Sequence, residues 1–359
     1  MVGYHLTAFG SAWGQPATEH FPTLHRFTAY GIFGVPLFFV ISGFVILMSA
    51  WSRDVPAFVA SRVGRLFPAY WVAVLATGAL LVWIWPDGKD VGTSRVLANL
   101  TMLQSAFGAG NLDGVYWTLW VELRFYVLVA VLLAIGMTTQ RLFAVVYLWP
   151  ALAYLCLRGD FGLGATVLVA QQAPYFAGGM ALYLVTRDRR SLVAWGAVLL
   201  NAVLAATVVG KDTTASMSSH THVVPGDVGT FVAVGLCFLL VAAAVLTPVR
   251  HLRWRWLTTI GLLTYPLYLL HQYWGWWIIA NLRDRLPSAV VLLAAVLGAL
   301  AMAYAVNRWV ERPWAGPLRR RVERELRRPA GTPEEGARPD ETNDASASHD
   351  ATADWRPVS

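Results

Sequence analysis

The chain has 359 residues, of which 57% are hydrophobic and 14% charged, with a formal net charge of +7. That balance lies far from a soluble domain, and the basic surplus includes no aromatic-interleaved segment of the kind that binds nucleic acid. The two cysteines, Cys156 and Cys237, fall inside apolar runs and propose no disulfide framework.

The apolar residues gather into runs long enough to cross roughly 30 Å of hydrocarbon as helix. In chain order these are 31–50, 68–85, 115–136, 142–157, 163–186, 191–209, 228–247, 257–279 and 288–310. They predict an all-α, polytopic transmembrane helical bundle. Ahead of the first run stands MVGYHLTAF, residues 1–9, enough for about 14 Å of helix. His5 follows Tyr4 there and would, by itself, be dismissed as a terminal residue. Run 31–50 is long and lacks a basic region immediately before it, so no signal peptide is read. Within it, Ser42 is a nucleophile on paper, while Ser42 with Gly43 suits close helix packing.

Arg62 and Arg65, in FVASRVGRLFPAYW, are three apart on one helical face, just ahead of Pro68, which is read as opening run 68–85. Topology alone accounts for arginines in this loop; the alternative is an anion site, because paired guanidinium groups suit phosphate oxygens. Glu122 lies seven residues in from Val115, roughly 10 Å along the helix. A lone carboxylate there costs at least about 2.5 kcal/mol, so it must face a wet cavity or a partner, or be protonated. Arg124 is about 200° further round the same helix and is expected to meet another acid or a carbonyl. His271, in YPLYLLHQYWGW, sits about 21 Å along its helix and reads either as a hydrogen-bonded packing residue or as part of a site. Residues 317–328, PLRRRVERELRR, form a basic juxtamembrane helix that suits anionic lipid. Residues 329–359 are poor in large apolar side chains and are expected to be a disordered cytoplasmic tail.

The cations test the membrane reading. Three lie in 51–67, one in 137–141, three in 187–190, three in 248–256 and ten after residue 307, against one or two in each alternate loop. Every second loop is richer or ties, the positive-inside pattern with a cytoplasmic C-terminus. Counting back through nine spans places residues 1–30 outside.

At this point several blocks carry a resemblance. GVPLFFVISGFVI (34–46) resembles the Gly-Val-x-Leu-Phe-Phe-Val-x-Ser-Gly-Phe signature of the acyltransferase family 3 membrane proteins. The stretch from Arg62 to Trp71 is similar to that family's Arg-x-x-Arg-Leu-x-Pro-x-Tyr-Trp block, and Trp117 to Tyr126 to its Trp-x-Leu-x-Val-Glu-x-x-Phe-Tyr block. Two weaker matches, Leu267–His271 and Glu311–Pro313, follow in the same order.

The resemblance implies a bundle of about ten helices that moves an acyl group, commonly acetyl, from cytoplasmic acyl-CoA to a hydroxyl. Acceptors in the family are sugars, glycans or secondary metabolites such as macrolides. His5 matches the family's essential histidine and would be the general base, since an imidazole that takes an alcohol's proton contributes roughly 10²–10⁴-fold. Glu122 would orient that imidazole or the acceptor, and Arg62 with Arg65 would hold the donor phosphates. Trp117, Tyr126 and His271 are assigned to acceptor contacts or to structure. Acyl-CoA is a co-substrate; no bound cofactor, metal or nucleic acid is expected, and membrane lipid surrounds the domain of residues 1–316. The family places an arginine about ten residues before its histidine, so the first helix here reads as truncated and the natural chain is expected to start upstream of Met1. A transporter or flippase of a lipid-linked sugar is the competing reading; it would be favoured by repeats and broken helices in matching positions, and no internal repeat is found.

Overall fold

The computed structural model describes residues 1–9, 12–221, 223–252 and 254–328, without the side chains of Val209 and Lys211. The tail 329–359 lies outside the described residues. Those residues form helices and turns and no strand. In order the helices are α1 (Val2–Thr7), α2 (Ala17–His20), α3 (Leu24–Thr28), α4 (Gly34–Ala50), α5 (Val55–Ala79), α6 (Thr93–Leu100), α7 (Trp117–Ala134) and α8 (Thr139–Arg158). They continue as α9 (Gly162–Val167), α10 (Ala173–Arg187), α11 (Leu192–Leu204), α12 (Gly210–Thr221), α13 (Asp227–Leu246), α14 (Arg255–Leu282), α15 (Ser288–Val306) and α16 (Arg312–Arg327).

Six continuous helical stretches among the described residues are long and apolar enough to cross a bilayer: Leu24–Ala50, Val55–Ile84, Gly114–Ala134, Thr139–Arg158, Asp227–Leu246 and Ser288–Arg327. The segments Leu192–Val208 and Asp212–Thr221, bent by 44° to one another, pass the same test only when taken together. α14 has 28 residues and reaches about 42 Å; its tryptophans and tyrosines lower its hydropathy without shortening it. The molecule is an all-α, multi-pass membrane protein whose exposed leucines, valines and phenylalanines suit lipid contact.

Two expected boundaries differ. Run 163–186 is not one helix. It divides into α9 and α10 at a turn where Val169 takes a left-handed φ of 53°. Pro174 in the first turn of α10 explains the restart, since proline fits a helix's first turn and disfavours helix before it. Every residue of α10 from Ala173 to Val185 is buried, as expected of a helix that is apolar on all sides. The second difference is that Pro68 opens nothing. α5 begins at Val55, where the Asp54 side chain accepts from the Ala57 N–H and a proline occupies the first turn. Arg62 and Arg65 therefore stand in helix, and Pro68 lies inside it.

The 317–328 segment belongs to α16, which continues from α15 through a π turn at Asn307–Glu311. α16 lies against α5: a methyl on Gly64 would meet the Ala315 carbonyl at 2.7 Å, and Arg327 pairs with Asp54 at 2.8 Å. The arginine-rich turns of α5 and α16 thus share one end of the bundle, called here the basic end.

The central crossing is α4 on α10. A methyl on Gly43 would collide with the Phe176 carbonyl, and one on Gly179 with the Val40 carbonyl. Backbones approach this closely only where neither helix carries a side chain. Gly43→Val should therefore lower stability by about 1–3 kcal/mol, read as a fall in the heat-aggregation midpoint of the detergent-purified protein. Gly235→Ala, which enters open space, should leave that midpoint unchanged.

Candidate active site

Away from the basic end, α1 lies against α14. Leu6 sits over Gly275, the Trp276 indole donates to the His5 carbonyl at 2.9 Å, and the Trp13 indole donates to the Leu6 carbonyl at 2.8 Å. These contacts press His5 inward until its ring centroid is 5.1 Å from that of His271. Neither His5 ring nitrogen has a hydrogen-bond partner. The His271 Nδ1 lies 3.1 Å from the Leu267 carbonyl and 2.9 Å from that of Tyr268. A carbonyl only accepts, so Nδ1 carries the proton in the neutral ring and Nε2 is a bare base. That Nε2 is buried without a partner.

His5 looks into a cavity of about 430 Å³. Phe9, Trp117 and Tyr175 supply aromatic wall, while Gln172, Asp212, Ser216 and Gln272 supply hydrogen-bonding groups. Gln171 closes one side by donating to Asp212 at 3.2 Å. His271 borders a second cavity of about 320 Å³, walled by Val35, Phe38, Leu119, Tyr265 and Tyr268, with Met1 and Val2 at its edge. Tyr268 belongs to both cavities and donates to the Val115 carbonyl at 2.8 Å. The imidazole pair therefore stands where a cavity of mixed lining, carrying the polar groups, meets an apolar one.

Glu122 is elsewhere. It accepts from the Ser42 hydroxyl at 3.1 Å and from Tyr126, and Arg62 and Arg65 are close enough for their charges to act on it. The structure does not bring it to His5, whose neighbouring imidazole is His271. Arg65 is itself occupied: it pairs with buried Glu311 at 3.2 Å. The other Glu311 oxygen accepts from Asn307 at 2.7 Å, and Asn307 accepts from Arg312 at 3.2 Å. The guanidinium of Arg62 lies over the Phe58 and Tyr126 rings at 5.9 and 6.0 Å and makes no ion pair shown among the described residues. Arg124 meets carbonyls, those of Trp120 and Thr166. Arg62, Arg65, Glu122 and Tyr126 thus form one group and His5, His271 and Trp117 a second, with Tyr265 and Tyr268 of α14 between them and within reach of the Glu122 charge. No group of three or more metal-ligating side chains occurs among the described residues.

Sequence reasoning missed the polar wall of the first cavity. The Gln171–Gln172 pair inside an apolar run was the available signal. It also missed Asp113, which is buried, caps the start of Gly114–Tyr116 by accepting from Val115 at 3.1 Å, and leaves its second oxygen unpartnered. Nearby Lys89 donates to the carbonyls of Asn111 and Leu112 at 2.8 and 3.0 Å. Burial pushes the Asp113 carboxyl up to about 7, opposed by the Val115 N–H and by the charge of Lys89.

Three comparisons place the chain among known proteins. The sequence model of a family described as "Acyltransferase domain" matches residues 1–308. The Nodulation protein 10 of Rhizobium leguminosarum bv. viciae is 28% identical over 303 residues, covering 74% of this chain and 80% of that protein. The Exopolysaccharide production protein ExoZ of Rhizobium meliloti (strain 1021) is 36% identical over 116 residues, 30% of this chain and 36% of its own length. No solved structure matches.

The Asp113 shift has a sign that can be measured. Between the ordinary carboxylate pKa and about 7 the folded protein keeps a proton that the unfolded chain has lost. Stability is therefore full below the ordinary value and falls as pH rises through about 7. Asp113→Asn keeps the capping oxygen and removes the ionisation. Its midpoint should exceed the parent's at pH 8, and the difference should shrink towards pH 4 in a thermal-shift series.

Proposed function

Because the chain belongs to the acyltransferase-domain family and is a multi-pass membrane acyltransferase, we propose that it moves an acyl group from acyl-CoA to a hydroxyl of a carbohydrate. The observation that carries this reading is the buried His5–His271 pair with bare nitrogens at the meeting of a mixed and an apolar cavity. A sugar suits the mixed cavity because aromatic walls take its C–H faces and amide and hydroxyl groups take its hydroxyls. The name of the partial relative, an exopolysaccharide production protein, favours a glycan over a macrolide or other secondary metabolite.

In this mechanism His5 is the base. The bare Nε2 of His271 suits an N–H of His5, which would leave the other His5 nitrogen free for the acceptor, so His271 acts as a positioning residue. His5 takes the hydroxyl proton as the oxygen attacks the thioester carbonyl; the C–S bond then breaks, and the proton passes to the departing CoA thiolate. Glu122, which accepts from Ser42 and Tyr126, makes no hydrogen bond to His5 and serves as a positioning residue, for the arginines or, through Tyr268, for the acceptor. Arg62, free of an acidic partner, is the better phosphate ligand of the two arginines. Under the positive-inside rule the basic end and the C-terminus face the cytoplasm, where acyl-CoA is supplied.

Membranes carrying the protein, given labelled acyl-CoA and a panel of oligosaccharides, should form an alkali-labile ester. Labelling of an amine, or sugar export that ignores acyl-CoA depletion, would count against the reading. His5→Ala should reduce turnover at least about 10²-fold at normal expression, and near-normal turnover in His5→Gln would require a different base.

The two arginines should behave differently. Arg62→Ala should raise the apparent KM for acyl-CoA with little change in kcat. Arg65→Ala should also reduce the folded yield, because it strands the buried Glu311 carboxylate; with Arg65 40% exposed and the Asn307 bond retained, the loss should be about 1–3 kcal/mol. Equal KM effects with unchanged yield in both variants would contradict this division.

A further inference from the structure

We propose that the apolar cavity beside His271 holds the hydrocarbon chain of the acyl donor, and that this chain is several carbons longer than acetyl. The proposal rests on the acyl-transfer reading and names the donor class within it.

Away from its histidine end, the side chains of this cavity's wall offer no free hydrogen-bonding group. Thr264 donates to the Gly261 carbonyl at 2.7 Å, Tyr265 to the Leu66 carbonyl at 3.0 Å and Tyr268 to the Val115 carbonyl at 2.8 Å. Among the side chains bordering it, His271 alone presents a polar atom without a partner, its Nε2; the α-amino group of Met1, which also borders the cavity, lies close enough for its charge to act on both imidazoles and so belongs to the same polar end. An occupant matched to that wall is apolar along its length and carries a polar group at the histidine end. A fatty acyl thioester has that form, with its carbonyl at the imidazole pair. The hydrocarbon tail of a membrane lipid needs no polar group there.

Size points the same way. The cavity measures about 320 Å³, against ~150 Å³ for an apolar protein cavity that takes benzene. An acetyl group would leave most of it empty. Position supplies an independent argument. Tyr265, Tyr268 and His271 are spaced by three residues on α14 and so share a face over about 9 Å. The Arg65 guanidinium sits 5.5 Å from the centre of the Tyr265 ring. The cavity therefore lies between the arginine cluster and the imidazole pair, where a donor anchored by its phosphates would place its reactive end.

The test uses the full chain in membranes with a fixed sugar acceptor and acyl-CoAs from acetyl to dodecanoyl. kcat/KM should rise by about two- to fourfold per added methylene until the cavity is full, then fall. Leu119→Phe, which adds bulk to the wall, should lower the ratio of hexanoyl to acetyl transfer about tenfold. Phe38→Ala, at the rim, should raise transfer of the longer chains relative to acetyl. These are ratios, so a variant that folds poorly depresses both terms and leaves the ratio readable. An optimum at acetyl, with ratios unmoved by either variant, would overturn the proposal and leave acyl transfer standing. Sensitivity of both variants to the lipid tail of the acceptor instead would also overturn it, assigning the cavity to that tail. Absence of ester from every donor would remove the acyl-transfer reading and this proposal with it.

Discussion

A bilayer offers no water to a polar group that lacks a partner, so each buried donor or acceptor must find one inside the protein. This bundle meets that demand at Glu311, Glu122 and Arg124. Glu311 is held by Arg65 and Asn307, Glu122 by Ser42 and Tyr126, and Arg124 by two carbonyls. Other buried polar atoms stay without a partner, and both His5 nitrogens and the Nε2 of His271 are among them. Two imidazoles side by side with three bare nitrogens are costly for a structural pair, and the cost is understandable where a substrate supplies the missing bonds.

The scaffold that holds this pair is built from the inside outwards. α10 is buried from Ala173 to Val185 and meets α4 across Gly43 and Gly179, which brings Ser42, beside Gly43, within reach of Glu122 on α7. α5 and α16 close the basic end, tied by the Arg65–Glu311 pair and by the approach of Gly64 to α16. α14 links the two regions: Tyr265 faces the arginines, and His271, six residues on, faces His5. A two-substrate transfer needs separate approaches to one reacting point, and the two cavities on either side of the imidazole pair supply that separation of chemistry. Family membership says that acyl transfer is what the scaffold carries out; the different walls of the cavities support the proposed placing of acceptor and acyl chain.

The sequence alone was enough for the fold class, because apolar runs of 16–24 residues have one stable answer in a bilayer, and for the family, because five motif blocks stand in order along one chain. It also singled out His5, Glu122 and the arginines as polar residues that an apolar context must accommodate. The break in run 163–186 was legible in principle from Gln171, Gln172 and Pro174, whereas hydropathy averaged over a window hid it. Which polar residue meets which could not be read, since partners such as Arg65 and Glu311 are separated by most of the chain and no local spacing encodes their contact. The pairing of His5 with His271 rather than with Glu122, and the split into a mixed and an apolar cavity, were decided by how α1, α4, α7 and α14 cross, and those crossings depend on close packing of side chains distant in sequence.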